Sequence, residues 1–400
     1  MRVGGAVHRG GQTSKALWEA IEAAGPWGTV NVGPAGSARL PGAVLGFDNW
    51  LGGAVSHRGP VLVRGSAIGG IGVRGAATPA LWIESDLRAS KGASSAFGNG
   101  ADDLAPGPLV VRGAFVGAQD ASGTSYNAAP IKWGVHFGGQ VEGGIALVDL
   151  EFGLADEHGR YIQNSRGAYY EARCRYPAST RCSAGQHTNR LRSGSTALPP
   201  ASGPVAIVEP HVTVSRRWLN AEGSKGVGGG GSITIAGHTG PVAILDPTFD
   251  FDLPAYPVPA SGSHGNLIMV WGETFTANGG CHLTEGGWWI DEVAIAGIRL
   301  HPGTGGVYTP DRDAIGMGAT RLVWFEAPSE LAEEDVQFET TASQRISINT
   351  TGSDVPESGQ RMEIGTLHWA GAGPSWWRLE GQGWARGIVP SASVTLTPVH

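Results

Sequence analysis

Short apolar runs, each opened by a glycine and closed by a charged residue, recur along this chain of 400 residues. They alternate with polar, glycine-rich stretches and start 36 to 60 residues apart. The clearest examples occupy residues 59–65, 107–113, 143–149, 203–210 and 240–247. This pattern predicts short β-strands on repeats of about 20 to 25 residues, with loops of varying length inserted between them, as in a solenoid.

Shorter runs of the same kind lie between these segments. They occupy residues 71–73, 81–83, 212–214, 233–235, 267–270 and 293–295. Where such short strands stack in register, the aliphatic side chains on one face form ladders in the interior. We therefore expect an all-β solenoid over residues 46–325.

The N-terminal segment has helical periodicity instead. Leu17, Trp18 and Ile21 recur at the three- and four-residue steps that share one helix face, and Ser14 is suited to cap the start. Gly25-Pro26 ends the helix, and an apolar run at residues 29–32 follows it. Because a lone amphipathic helix needs a surface to cover, residues 1–45 are predicted to cap the solenoid with a helix and a first strand.

Residues 16–34 run from Ala16-Leu17-Trp18 through Gly28-Thr29 to Gly33-Pro34. This segment resembles the start of right-handed parallel β-helix proteins of the pectate-lyase-like group, which includes bacteriophage tail spikes. The resemblance implies a right-handed parallel β-helix whose first turn is covered by the capping helix. It also implies side-by-side association of three copies into a homotrimer.

The pattern changes after Phe325. Six carboxylates between Glu326 and Glu339 crowd a stretch rich in proline, serine and alanine, which is typical of a linker or a short helix. Beyond it, segments such as residues 345–348 and 393–396 alternate apolar and polar positions, as half-buried antiparallel strands do. Residues 326–400 are predicted to form a small C-terminal antiparallel β module.

Composition and charge narrow the class of protein. With 65 glycines, 25 prolines and 14 tryptophans, the chain has too much bulky apolar material for a disordered protein. A net charge of −7 with 16% charged residues argues against a nucleic-acid surface and suits neutral, hydroxyl-rich partners. No apolar run is long enough for membrane insertion, and the N-terminus lacks a signal core. This favours a virion protein made in the host cytoplasm without a signal peptide.

The cysteines, Cys174, Cys182 and Cys281, have neither the spacing of a disulfide framework nor that of a metal cluster. Free thiols are the simpler interpretation, and a bridge between Cys174 and Cys182 stays open. No residue pattern points to a cofactor or a metal ion, so none is predicted.

Carboxylates are the candidate catalytic residues if the chain is a polysaccharide lyase or a glycoside hydrolase, since two of them on adjacent repeats would form an acid–base pair. The candidates are Asp149, Glu151, Asp291 and Glu292, with Asp250 and Asp252 in a wider set. The Asn-Thr-Asp and Gly-His-Gly motifs of polygalacturonases are absent. Residues 156–160, which include His158, are interpreted as a solvated turn. Enzymatic activity is therefore not favoured.

Tryptophans are the predicted ligand-binding residues, because a flat apolar ring with an N–H group stacks well on a sugar ring. The alternative is burial in the core or in a subunit interface, which is about as common for any single tryptophan. The predicted set is Trp288, Trp289, Trp376, Trp377 and Trp384, with Arg378 beside it.

Together these features predict a bacteriophage virion structural protein, a tail spike or fibre that adsorbs to a host cell-surface polysaccharide and contacts other virion proteins. Two other classes stay open at this point. One is a polysaccharide-degrading enzyme on a β-helix, and the other is a head or tail decoration protein without glycan binding. The chain reaches the predicted cap helix with no separate anchor ahead of it, which weakens the tail-spike interpretation.

Overall fold

The computed structural model describes the β-strands and part of their connections. The described residues are 5–8, 23, 29–32, 61–68, 71–72, 81–89, 93–99, 104–105, 107–118, 131–163, 165–177, 185–188, 202–215, 233–236, 238–252, 268–271, 274–275, 281–282, 290–301, 315–318, 320–326, 343–349, 361–368, 376–380 and 395–399. The chain divides into two compact units, residues 1–176 and 177–400. Each unit is described by itself.

The described part of the first unit consists of β-strands and short connections. The strands are β1 (Gly5–His8), β2 (Thr29–Val32), β3 (Val61–Ile68), β4 (Ile71–Gly72), β5 (Leu81–Ala89), β6 (Ala93–Asn99), β7 (Leu104–Ala105), β8 (Leu109–Arg112), β9 (Phe115–Ala118), β10 (Ile131–Phe137), β11 (Gln140–Val141), β12 (Ile145–Val148), β13 (Glu151–Phe152), β14 (Ala155–Gln163), β15 (Tyr169–Ala172) and β16 (Arg175–Tyr176).

These strands pair in parallel with the equivalent strand of the next repeat. The first stack runs β1, β2, β3, β5, β8, β12, β15. A second stack runs β4, β6, β10, β14, and a third joins the end of β5 to β9, β13 and β16. From β8 onward, the successive strands of each repeat belong to the first, the third and then the second stack.

The inward rows of the first stack show why these residues form strands. Along β8 and β12 the buried positions alternate with more exposed ones, which is the period of a strand with one buried face. Ile83, Val111 and Leu147 are aligned by the register and are fully buried. Burying an aliphatic side chain of this size contributes about 1.5–3 kcal/mol, so stability accumulates from repeat to repeat.

A two-residue corner joins the first stack to the third in each repeat. Its first residue has a positive φ, with values of 58° at Gly113, 54° at Asp149 and 50° at Arg173. Its second residue is buried and is Ala114, Leu150 or Cys174. The left-handed conformation costs a non-glycine residue about 1 kcal/mol. The hydrogen-bond ladder continues through the corner, because the N–H of Asp149 donates to the carbonyl of Ala172.

The described part of the second unit is also made of strands. They are β17 (Gly185–Thr188), β18 (Val205–Val208), β19 (His211–Ser215), β20 (Ile233–Ala236), β21 (Val242–Leu245), β22 (Thr248–Asp252), β23 (Ile268–Trp271), β24 (Thr274–Phe275), β25 (Cys281–His282), β26 (Ile290–Ala296), β27 (Arg299–His301), β28 (Ile315–Gly318), β29 (Thr320–Glu326), β30 (Ser343–Asn349), β31 (Arg361–His368), β32 (Trp376–Glu380) and β33 (Thr395–Val399).

The second unit repeats the same arrangement. Its parallel stacks are β18–β21–β26–β29, β19–β22–β27 and β17–β20–β23–β28–β30. The positive-φ corner position recurs at Glu209, Asp246 and Gly297. Antiparallel pairing appears toward the C-terminus, where β31 pairs with β30, β32 with β29, and β33 with β32.

The expectation of an all-β fold with a long parallel sheet is confirmed. Among the described strands between residues 59 and 301, the pairs within each unit are parallel except the short pair β24–β25. Of the predicted cap helix only Ala23 lies among the described residues, so the cap stays a prediction. The same holds for a separate module over residues 326–400 and for the domain bounds at residues 45 and 325.

The interpretation of residues 156–160 as a solvated turn is wrong. These residues lie within β14, where His158 is buried and Arg160 is fully buried. The strand register explains this outcome, since Trp133, Val135 and His136 of β10 pair with His158, Arg160 and Tyr161 of β14. A charged residue thus takes a position that the neighbouring repeat fills with valine.

Candidate functional site

Two large aromatic side chains stand in water on the outer face of the first stack. Trp82 on β5 is 38% exposed, and Tyr170 on β15 is 42% exposed. Among the described residues, neither side chain makes a ring contact or a hydrogen bond. Both rings therefore expose part of their surface to solvent, which marks them as candidates for a binding surface.

A single register row joins the two rings. Trp82 lies opposite Val110, Val110 opposite Ala146, and Ala146 opposite Tyr170. Adjacent strands are about 4.8 Å apart, so the backbone positions of the two aromatic residues lie about 14 Å apart along the stack. Val110 and Ala146 are half-buried and small, and they form a low apolar floor between the two rings. We call these four residues the aromatic row.

A charged corner flanks the aromatic row on one side. Arg112 lies two residues beyond Val110 on β8, and Asp149 and Arg173 hold the corner positions of the next two repeats. Arg173 donates from Nε and Nη2 to the two carboxylate oxygens of Asp149, at 2.6 and 3.1 Å. The Nε of Arg112 lies 3.8 Å from Asp149 Oδ2. The corner places hydrogen-bond donors and an acceptor beside the apolar floor.

Asp149 is one of the candidate catalytic carboxylates, and the structure places it in this ion pair. The hydrogen bond from Arg173 holds the pKa of Asp149 below its usual value, and burial opposes this shift only in part. A carboxylate held ionised between two guanidinium groups is a poor general acid. Glu151 follows two residues later, is exposed, and lies opposite Arg175 in the register.

The other predicted site residues lie in the second unit. Asp291 and Glu292 are consecutive exposed residues near the start of β26. Trp376, Trp377 and Arg378 belong to β32, whose backbone pairs with β29 and β33. Trp288, Trp289 and Trp384 lie outside the described residues. A catalytic or ligand-binding role for any of these residues stays a prediction.

On the opposite face of β15, a buried ion pair lies in the core. Arg160 Nε donates to Glu171 Oε2 at 2.5 Å, and both side chains are almost completely excluded from water. The hydroxyl of Tyr169 donates to the same oxygen at 2.5 Å, and that of Tyr176 donates to Oε1 at 2.8 Å. The carboxylate thus receives three hydrogen bonds, which compensate for its burial.

The surroundings of the buried ion pair keep Arg160 charged. Burial works against the positive charge of Arg160, but the attraction of Glu171 outweighs it and raises the pKa of Arg160 above its usual value. Burial raises the pKa of Tyr169 and of Tyr176, so both hydroxyls keep their protons and donate to Glu171. Because the pair does not reach water, we assign it to the stability of the fold.

Cys174 fills the buried second position of its corner, where the preceding repeats have Ala114 and Leu150. The thiol is free, and burial raises its pKa. A protonated thiol in the position of an aliphatic side chain acts as a small apolar group.

The second stack of the first unit carries rings that cover one another. The rings of Trp133 and His136 stack at 4.1 Å, those of His136 and Tyr161 at 5.4 Å, and the Lys132 ammonium lies 4.2 Å from the Trp133 ring centroid. Since these ring faces contact each other, less of their surface is free for a ligand than in the aromatic row.

An imidazole–carboxylate pair lies in the second unit. His211 Nε2 contacts Asp250 Oδ2, and both side chains are about one third exposed. The register places Asp250 between Thr213 of β19 and His301 of β27. A carboxylate that orients an imidazole is the arrangement with which proteins move protons near neutral pH. Asp250 belongs to the wider set of predicted carboxylates, whereas no sequence pattern indicates His211 as its partner.

Within the described part of the chain, no group of three or more His, Cys, Asp or Glu residues is placed to hold a metal ion. A search of the same residues finds no helix long and apolar enough to cross a membrane. No protein-family model matches the chain, and no curated protein or solved structure matches it significantly.

Sequence reasoning missed Trp82 and Tyr170 as site residues. Trp82 sits in the apolar run Leu81-Trp82-Ile83, where alternation leaves the middle residue on the outer face, and that signal was present in the sequence. Tyr170 precedes Glu171, whose burial hydropathy does not indicate, so its outward position had no such signal. Only the register, however, shows that the two residues share one row, because the chain between them has repeats of unequal length.

Proposed function

We propose that this protein is a bacteriophage virion component, a tail spike or fibre, that adsorbs to a host cell-surface glycan through the aromatic row. The proposal includes a right-handed parallel β-helix and assembly as a homotrimer at the virion surface. The observation that carries it is the pair of exposed rings in one register row. The resemblance of residues 16–34 to tail-spike proteins supports the virion setting.

The chemistry of the row suits a sugar chain. An aromatic face stacks on the apolar C–H face of a sugar ring, while neighbouring polar groups bond its hydroxyls. Trp82 and Tyr170 supply the faces, and the corner of Arg112, Asp149 and Arg173 supplies both donors and an acceptor. Because that corner contains charges of both signs, it favours a neutral or weakly charged, hydroxyl-rich ligand.

A second copy of the chain is a less suitable occupant of the row. The exposed fractions of Trp82 and Tyr170 leave about 150–200 Å² of ring surface in water, given the usual size of these side chains. A stable protein interface buries about 800 Å² on each partner. The row is one residue wide and is flanked by charged side chains, so it fits a narrow ligand better than a protein surface.

The test is binding of the full chain to an array of bacterial capsular and lipopolysaccharide glycans. We expect Trp82→Ala and Tyr170→Ala to weaken binding about tenfold, the loss expected for one strong aromatic contact. Trp82→Phe and Tyr170→Phe are matched controls that keep a ring and should retain most of the affinity. Silence on the array combined with firm attachment to purified phage particles would overturn the proposal in favour of a decoration protein.

A second candidate function, a polysaccharide-degrading enzyme, is favoured by one observation. The His211–Asp250 pair is half-exposed and has the chemistry of a general base. Its test is incubation of the protein with host capsular polysaccharide, followed by sizing of the product. Shorter polysaccharide chains after incubation with the wild-type protein, and unchanged chains with His211→Asn or Asp250→Asn, would support an enzyme. Unchanged chain length would remove this candidate.

A further inference from the structure

We infer that the aromatic row selects a linear glycan that lies across the strands and is long enough to stack on Trp82 and Tyr170 at the same time. This inference rests on the proposed function and specifies the ligand class of that same site. The two rings belong to β5 and β15, which are separated by β8 and β12. Three strand spacings of about 4.8 Å fix their backbone separation at about 14 Å.

That separation is a property of the hydrogen-bonded backbone and is the same for every side-chain rotamer. Beneath the outer positions, Ile83, Val111 and Leu147 are fully buried. A monosaccharide is too short to touch both rings. A chain of several pyranose rings spans the distance over the low floor of Val110 and Ala146.

The charged corner limits which substituents the row accepts. Arg112 and the ion pair of Asp149 with Arg173 stand beside the floor. A branch or acetyl group that points to this corner meets these charged side chains, so the row disfavours glycans with substituents in that direction.

Two rings at a fixed separation also predict how affinity depends on length. Once one sugar ring is stacked on Trp82, the rest of a long chain is held near Tyr170, so the second contact forms at a high effective concentration. Affinity is expected to rise in one step, by about tenfold, at the length that first reaches both rings. Further residues beyond that length should add little.

The experiment uses calorimetric titration of the full chain. The probes are fragments of two to ten sugar residues, size-fractionated after partial acid hydrolysis of the polysaccharide that binds on the array. For long fragments, Trp82→Ala and Tyr170→Ala should each lower the affinity about tenfold and abolish the length step. For the shortest fragments, either variant should change affinity by no more than about twofold, because the remaining ring still binds them.

The outcomes separate this inference from the proposed function. If both variants weaken short and long fragments equally, the row binds glycan without bridging, and only the inference is overturned. If no glycan binds at all, the proposed function is overturned and the inference with it. A change in subunit number with Trp82→Ala, measured as solution mass, would instead identify the row as a contact between copies and overturn both.

Discussion

Two neighbouring tyrosines on β15 lie on opposite faces of the strand, one buried and one exposed. Tyr169 is fully buried and donates its hydroxyl to Glu171, whereas Tyr170 is 42% exposed. The two side chains have the same chemistry and differ only in the face of the strand on which they lie. Burial and partners, more than residue type, therefore distinguish an aromatic residue that holds the fold from one available to a ligand.

The largest effect is expected on the inner face. Glu171→Ala leaves Arg160 buried without its carboxylate, and the free energy of unfolding should fall by about 3–5 kcal/mol. Urea denaturation followed by circular dichroism measures this loss. The control is the double variant Arg160→Met/Glu171→Leu, which removes both charges and should be clearly more stable than Glu171→Ala. Its remaining loss is expected from the buried hydroxyls of Tyr169 and Tyr176, which lose their acceptor. Equal destabilisation by the single and double variants would contradict a role of charge pairing.

The side chain of His238, in the second unit, is also buried. Burial lowers the pKa of His238 to about 4, against a smaller opposing effect of a hydrogen bond with the Gly203 backbone. The unfolded chain binds a proton at about pH 6.5, so stability is full above that pH and falls as the pH drops from about 6.5 to about 4.

The expected loss from His238 over this window is about 3 kcal/mol, since each unit of pKa difference corresponds to 1.36 kcal/mol. Urea denaturation at pH 7 and pH 4.5 measures it, and His238→Leu should show a smaller difference between the two pH values than wild type. An identical pH dependence of the two proteins would show that His238 does not titrate in this window.

A smaller change in stability is expected when each of the two tyrosines is replaced by phenylalanine. Tyr169→Phe removes one hydrogen bond to the buried carboxylate and should cost about 1–2 kcal/mol of stability. Tyr170→Phe removes a hydroxyl that stands in water and should stay within about 0.5 kcal/mol of wild type. Thermal unfolding of both variants under one condition provides the comparison. Equal losses of stability in the two variants would contradict the difference between the buried and the exposed face of β15.

The smallest effect is expected at the corner. The pKa of Asp149 is lowered by the hydrogen bond from Arg173, so the pair stabilises the fold above the usual Asp pKa, and this contribution is lost as the pH falls through the lowered value. The side chain of Asp149 is 36% exposed and its arginine partners are more exposed still, so Asp149→Asn should change stability only slightly at pH 7. Salt titration of the melting temperature should be flatter in this variant than in wild type, because it lacks the screened ion pair.

Much of the fold could be predicted from the sequence because the residues that mark a strand are neighbours in the chain. A glycine, a short apolar run and a charged residue mark β8, β12, β18 and β21, and these runs are confirmed as parallel strands. The core charges could not be predicted. Arg160 and Glu171 look like surface residues by hydropathy, and only the register of β10 with β14 and of β12 with β15 places them inside.

The candidate site was predicted less well, because a row across strands joins residues that are far apart in the chain. Tryptophan-rich segments favoured residues 288–289 and 376–384 in the prediction, whereas Trp82 and Tyr170 are exposed among the residues whose burial is described. Asp149 was predicted as one of several carboxylates that could meet on adjacent repeats, and the structure places it at a corner. A charged residue that ends an apolar run thus reflects the geometry of the repeat as well as chemistry.

The corner also limits where this chain tolerates a change in length. Only Asp149 and Leu150 separate β12 from β13. One inserted residue here would reverse the inside–outside order of every position up to the next connection. Phe152, which is buried and stacks on Tyr176 at 4.4 Å, would then face water. Sequences descended from this one should therefore vary in length elsewhere and keep two residues at this position.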